Sequence, residues 1–421
     1  MTIEQSNWAG NQPLHAARFH QPTTVAQVQE IVRQAGKVRV IGARHCFNDI
    51  ADTTGDLLSL ANLDNRVTID QEQRTATVNA GITYRELCPQ LHAAGYALHN
   101  LASLDHITVI GACMTATHGS GDTHGNLATA VAGLEMVTAN GDLVTLSRAQ
   151  DSDRFNGAVV ALGALGVVTK VTLDLQPAFT MQQDIYERLP LAQLDEHFDA
   201  IMGHGYSVSL FPNWQQDSVN TVWVKQQLTA GQEFTPPAEF FGATLVGRER
   251  PVDAFSDRHL TAKGAPGPWH ERLPHFYLKD AERQGNELQS EYFVARHHAV
   301  AAMRVVAGLR EQLAPILQVS EIRTMTGDKL WLSMAYGADT VGIHFNWNKD
   351  WPGVRQFLPI LEEQLAPFAP RPHWGKLFAL RPAQVQARYP RLADFRALAQ
   401  EYDPQGKFRN AYIERYIFGN E

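Results

Sequence analysis

The chain has 421 residues, 44% hydrophobic and 19% charged, a balance that suits a folded protein of two or three domains and excludes a disordered or fibrous one. A formal net charge of −8 with no basic run argues against nucleic acid as a partner. Three cysteines (Cys46, Cys88 and Cys113) are too widely spaced for a disulfide framework or a cysteine-based zinc site.

The N-terminal stretch Met1–Trp8 has neither the basic nor the apolar segment of a secretory leader. No apolar run is long enough to span a bilayer, so a cytoplasmic protein without membrane contact is expected. Thr24-Val25-Ala26-Gln27 has the form of a capping box. Val25, Val28, Val32 and Ala35 then recur at helical spacing, and Gly36 follows the last of them.

Val38-Arg39-Val40-Ile41 is a β-branched run that rises into Gly42. Gly42 permits a sharp turn or a close approach to a ligand. Backbone N–H groups after such a turn can form an anion-binding nest, and His45 follows directly. Two readings are open: a phosphate-binding turn beside a reactive imidazole, or a strand that ends in an ordinary turn with a surface histidine.

Leu57–Leu60 and Thr75–Val78 read as further short strands. Thr83 with Glu86 forms a second capping box, for a helix ending near Gly95. Asn100–Gly121 is rich in Gly, Ala, Ser and Thr and poor in charge. Small residues let a backbone pack against an extended ligand while offering hydroxyls and amides, or they fill a tight core. No GxGxxG fingerprint is present, which argues against a Rossmann dinucleotide fold. Asn140-Gly141 predicts a type I′ hairpin turn between Glu135 and Thr145. Leu165–Leu173 is another strand, with Pro177 beyond its end. A domain boundary is expected there.

Ala299–Leu313 has a helical apolar pattern that Pro315 stops. In Val319–Thr324 the alternation places Glu321 and Arg323 on one face, and in Thr340–Trp347 it does the same for His344 and Asn346. The Glu321/Arg323 face reads either as a solvated edge with an ion pair or as a pocket for a hydroxyl-rich ligand. His373 and Lys376 follow on a short segment after Pro372. No HxH, HxxxH or HExxH pattern occurs, so no metal site is expected.

Taken together these stretches resemble the vanillyl-alcohol-oxidase-type FAD-linked oxidoreductases and, within them, the alditol (xylitol) oxidases. The resemblance runs from Asn7–Asn11 through the His45 stretch, Asn100–Gly121 and Leu162–Thr169. It continues through Gly267–Phe276, Glu321–Thr324, Arg371–Lys376 and Asp403–Asn410. His373-Trp374-Gly375-Lys376 is also similar to the HWAK motif of aldonolactone oxidases.

The resemblance implies an α+β, two-domain FAD-binding (PCMH-type) fold with a substrate-binding cap. Residues 1–178 would be the FAD-binding domain, 179–375 the cap, and 376–421 a segment returning to the first domain. It implies FAD held by Val40, Ile41, Gly42, Ala43, Arg44, His45 and Cys46, with His45 linked covalently to the flavin 8α-methyl. Further flavin contacts would be Ser103, Thr108, Gly111, Thr115, Ala116, Thr117, His118, Val168 and His373. The substrate pocket would be Ser103, Glu321, Arg323, Asn346 and Lys376. Lys376 would take or orient the hydroxyl proton as hydride leaves for flavin N5, and Arg323 would favour developing negative charge. The implied reaction converts the primary hydroxyl of a polyol to an aldose, with O2 reduced to H2O2. A monomer acting on a small polyol is expected, and an aldonolactone oxidase or dehydrogenase, or a non-enzymatic flavin or sugar-binding protein, are the alternatives. Arg44 and Cys46 stand where some members have Gly and Ser, and Asn346 stands where an alditol oxidase has Thr.

Overall fold

The computed structural model describes residues 6–229, 234–252, 260–276 and 285–419. Met1–Gln5, part of the stretch read above for a leader, lie outside the described residues.

The first half of the chain builds two small sheets. Arg18–His20, Asp56–Leu58 and Val38–Val40 form a parallel sheet with Asp56–Leu58 in the middle. The helix Val25–Gln34 connects its outer strands and buries Val28 and Val32. Thr24 caps this helix by accepting from Gln27 N–H, as its sequence predicts. The reciprocal half of the box is not made, because Gln27 Oε1 accepts from Thr23 N–H, one residue earlier. The box at Thr83 and Glu86 is complete, and its helix spans Tyr84–Ala93.

The second sheet is antiparallel, in the order Thr68–Asp70, Thr75–Asn79, Val167–Asp174, Val131–Val137 and Leu143–Ser147. Its last pair is the expected hairpin, but the turn differs from type I′. Thr138 N–H donates to Asp142 O, and of the turn residues Ala139, Asn140 and Gly141 only Gly141 has a positive φ, at 82°. A type I′ turn needs two left-handed residues, so the extra residue is taken up in a longer loop.

From Thr180 onward the chain forms a ten-stranded sheet. Its centre runs Thr180–Pro190, Ser218–Leu228, Ser207–Phe211, Leu317–Met325, Thr340–Asn348 and Glu287–Ala295, with Arg371–Pro372 at one edge. On Thr340–Asn348 the residues Val341, Ile343, Phe345 and Trp347 face the helices Ala299–Gly308 and Trp351–Leu365, where Met303, Val306, Phe357 and Leu361 complete the core. Each such large apolar side chain contributes about 1.5–3 kcal/mol on burial. The alternate residues, Gly342, His344 and Asn346, point to the opposite face. That face is covered by the first half of the chain, so the strand is buried on both sides although its sequence alternates.

The chain end returns to the first sheet. Asp403 accepts from the backbone N–H groups of Lys407 and Phe408, each at 2.7 Å, and Gly406 turns with φ 66°. Val38 N–H then donates to Lys407 O, and Asn410 Nδ2 donates to the carbonyls of Asp49, Ile50 and Asp52. Among the described residues no helix is long and apolar enough to cross a membrane.

Candidate active site

Between the two small sheets and the large sheet lies a cavity of about 880 Å³. Every site residue inferred from the sequence lines it except Ala116. Ala116 is fully buried with a left-handed φ of 52°, so it shapes the loop between Thr115 and Thr117 without reaching the cavity wall.

One end of the cavity is the turn after Val38–Val40. Arg39 fixes this strand from behind: its buried guanidinium donates to Leu162, Gly163, Ile50 and Phe408 carbonyls. Gly42 packs against Thr108, and a Cβ there would stand 2.3 Å from Thr108 Oγ1. Arg44 has φ 62°, a left-handed conformation that glycine adopts more readily than arginine. His45 stacks on Trp8 with ring centroids 4.2 Å apart. Its Nε2 lies 2.6 Å from His106 Nε2. Burial, reinforced by His106, Lys376 and Arg44, holds the His45 pKa well below that of free histidine, so the imidazole is neutral.

The HWGK stretch is fastened to this loop. Phe47 N–H donates to Gly375 O at 2.7 Å, and Asn48 Nδ2 donates to Trp374 O and Lys376 O. Trp374 is fully buried, with Nε1 on Leu332 O at 2.7 Å. Gly375 leaves room for Cys46, since a Cβ would meet Cys46 Sγ at 3.1 Å. His373 Nδ1 accepts from Gly375 N–H, leaving Nε2 as the ring's donor position.

These ties bring Lys376 over the polar face of the large sheet. Glu321, His344 and Glu291 are register partners across three adjacent strands. Lys376 Nζ donates to Glu291 Oε2 at 2.6 Å and lies 2.7 Å from His344 Nδ1. His344 Nε2 in turn lies 2.5 Å from Asn346 Oδ1. Arg323 Nη1 donates to Ser103 Oγ at 3.3 Å and to His118 O, while Nη2 donates to Glu291 Oε1 at 3.2 Å. Glu321 Oε1 is 3.4 Å from Arg323 Nε, which makes no hydrogen bond. Both residues are 5% exposed on an interior strand and line the cavity, so their face is not a solvated edge.

Burial lowers the Lys376 pKa, Glu291 opposes that shift and Arg323 adds to it, with a net lowering. Burial alone would raise the Glu291 pKa, but Lys376, His118 and Arg323 outweigh it and keep the carboxylate ionised. The arrangement therefore sets a base-capable amine, a guanidinium and an ionised carboxylate around one end of the cavity.

Glu291 is the central acceptor, and sequence reasoning passed over it. The signal was present: Glu287, Gln289 and Glu291 alternate in ELQSEYFVA and all line the cavity. His106 and Trp8, which meet the His45 ring, lie inside the stretches Asn100–Gly121 and Asn7–Asn11, but neither stood out there as a site residue.

Residues 16–147 match a model of an FAD binding domain, and residues 281–416 match one described as D-arabinono-1,4-lactone oxidase. An alditol oxidase of Streptomyces sp. is 44% identical over the whole of both chains. An L-gulono-1,4-lactone dehydrogenase of Mycobacterium tuberculosis is 30% identical over 98% of each. Among solved structures, cholesterol oxidase from B. sterolicum aligns with a TM-score of 0.77 over 98% of this chain and 96% of its own, at 16% identity, which establishes a shared fold. With full-length identity at this level to an alditol oxidase, the chain belongs to the alditol oxidase family of FAD-linked, vanillyl-alcohol-oxidase-type oxidoreductases.

Proposed function

We propose that the protein oxidises the primary hydroxyl of alditols such as xylitol or sorbitol to the aldose, with FAD as cofactor and O2 as final acceptor. The observation that carries this reading is Lys376, held between Glu291 and His344 in the same cavity as the His45 turn. Residues 1–178 form the FAD-binding part in this reading, 179–375 the cap, and 376–421 the returning segment.

The residues present suit FAD. One cavity of about 880 Å³ is lined by the Gly42 turn, Thr108, Gly111, Thr115, His45 and Lys376 together. Gly42 and Gly111 both leave Thr108 Oγ1 uncovered, at 2.3 and 2.6 Å from where their Cβ atoms would lie. Bound FAD supplies the two-electron acceptor for the carbinol hydride and delivers the electrons to O2. His45 is the proposed covalent anchor. With Nε2 engaged by His106, its Nδ1 makes no hydrogen bond to any described residue and is the nitrogen that would form the bond.

The polyol's reacting hydroxyl is placed at Lys376 Nζ. Lys376 accepts the hydroxyl proton when neutral, and its lowered pKa makes that form accessible. Arg323 stabilises negative charge growing on the same oxygen, and Ser103 orients it. Glu321 accepts hydrogen bonds from hydroxyls further along the chain, and Asn346 meets the next one. A carboxylate at this place disfavours sugar acids.

The test is an anaerobic spectrum before and after xylitol or sorbitol, followed by air. The expected result is bleaching of the flavin band, its return in air, and H2O2. An unchanged band with alditols but bleaching with an aldonolactone would replace the substrate, and bleaching with neither would leave a binding protein.

Gly42→Ala tests the cofactor placement. Threonine is stiff at χ1, so Thr108 cannot swing freely from a new Cβ. The overpacking should cost about 1–3 kcal/mol. The expected outcome is purified protein with a severalfold lower flavin-to-protein absorbance ratio; a wild-type ratio would move the pyrophosphate away from this turn.

A further inference from the structure

Behind Glu321, on the side away from Lys376, lies a second buried lysine that the reaction above does not use. Lys225, on the strand Ser218–Leu228, is fully buried. Among the described residues it pairs with no carboxylate. Its Nζ donates to Leu273 O at 2.5 Å and to Pro274 O at 3.2 Å, and lies 2.9 Å from His275 Nδ1. The other ring nitrogen, His275 Nε2, lies 2.8 Å from Glu321 Oε1, with Ser209 Oγ at 3.2 Å. Trp223 and Phe211 meet the ring edge-on at 4.9 and 5.6 Å and close it off. His275 N–H also donates to Ser103 O, which ties this segment to another proposed substrate contact.

The donor chemistry gives the chain a direction. Both carbonyls can only accept, so two Nζ hydrogens go to them. If the third stays on Nζ, it donates to His275 Nδ1. If it moves to the ring, Nδ1–H donates back to Nζ. While the pair keeps that third proton, Nε2 carries a hydrogen in both cases, and that hydrogen points at Glu321. The carboxylate is then an acceptor only, with its oxygen held in place.

We propose that Lys225 and His275 are positioning residues that keep Glu321 ionised and aimed at the hydroxyls of the substrate, and so set the preference of the site for neutral polyols. The proposal rests on the reading of Glu321 as a substrate contact. The charged groups facing His275 are Lys225, Glu321 and Arg323, with Arg272 acting on Lys225 and His344 on Glu321. Burial, then Lys225, pushes the His275 pKa down to about 4.

Lys225→Met in the holoenzyme removes that push and the fixed tautomer together. At pH above the His275 pKa, the Nδ1–H form becomes accessible and Glu321 loses its donor. As pH falls, His275 protonates and Nε2–H returns. The expected result is a KM for xylitol about tenfold higher at neutral pH, falling towards wild type as pH is lowered, with the saturating rate of flavin reduction little changed. His275→Gln places a donor that cannot titrate near the Nε2 position; its KM should stay near wild type and independent of pH, also in combination with Lys225→Met. His275→Leu, which has no donor, should raise KM at every pH. Should Lys225→Met fail to fold, the His275→Gln and His275→Leu pair decides the matter. If wild type bleaches with xylitol but KM in these variants is unchanged, or Lys225→Met shows no pH dependence of KM, this proposal alone falls. If wild type does not bleach, the alditol reading falls and takes this proposal with it.

Discussion

Lys376→Met should slow anaerobic flavin reduction by an alditol by about a hundredfold or more, the scale of a lost general base, while flavin remains bound. Methionine is unbranched and close in length, so it fills the same channel. Glu291 keeps two of its partners, His118 Nε2 at 3.0 Å and Arg323 Nη2 at 3.2 Å, so the buried carboxylate is not stranded. The loss of one charge-assisted bond should cost about 1.5–3 kcal/mol of stability, visible as a lowered melting temperature without unfolding at working temperature. Stopped-flow bleaching measures the rate, and near-normal reduction would remove Lys376 from proton transfer.

The pH profile gives a second, independent arm. The amine must be neutral to accept a proton, so reduction should rise with pH through the Lys376 pKa and then level off. Because burial lowers that pKa, the rise comes below the range of a solvent-exposed lysine. Glu291 works against burial by favouring the charged amine. Glu291→Gln should therefore lower the Lys376 pKa further and move the rise to lower pH. A shift to higher pH would mean that Glu291 acts on the rate by another route, such as the placement of Arg323.

The two ends of the site were legible in the sequence to different degrees, and for physical reasons. A β-branched run into Gly42 marks a strand and a turn locally, and the strand Val38–Val40 is where that pattern puts it. Glu321 and Arg323 share a face by period two, and they do so in the structure. What alternation could not decide was whether that face met water or another layer of the protein. That depends on contacts more than 200 residues away in the chain, such as Arg323 to Ser103 and to His118 O. The alternation of Glu287, Gln289 and Glu291 was as legible, but its meaning was open for the same reason: a glutamate in an alternating strand looks solvated until its register with His344 and Glu321 is known. The Asn140-Gly141 turn failed differently. Its residue types were right, but loop length rather than composition chose the turn, and only Gly141 needed a left-handed φ.

His45→Ala should give protein from which all flavin is released into the supernatant on acid precipitation, whereas wild-type flavin should stay in the pellet. The neutral ring is held on two sides, by Trp8 in a stack and by His106 at Nε2, and both restrain its rotation. A ring fixed in this way presents Nδ1 without an ordering cost at the moment the bond forms. Alanine removes the nucleophile and leaves Trp8 without its stacking partner, a loss of about 0.5–1.5 kcal/mol that the edge contact of Trp8 with the buried Phe47 only partly offsets. The cavity itself is otherwise intact: Gly42, Thr108 and Gly111 still shape the turn, so FAD should still bind non-covalently and the variant should be yellow before precipitation. Loss of colour before precipitation would mean that His45 is needed for binding as well as for linkage. Flavin retained in the variant's pellet would show that another residue forms the bond and would leave the His45–His106 pair as a structural contact beside the cofactor.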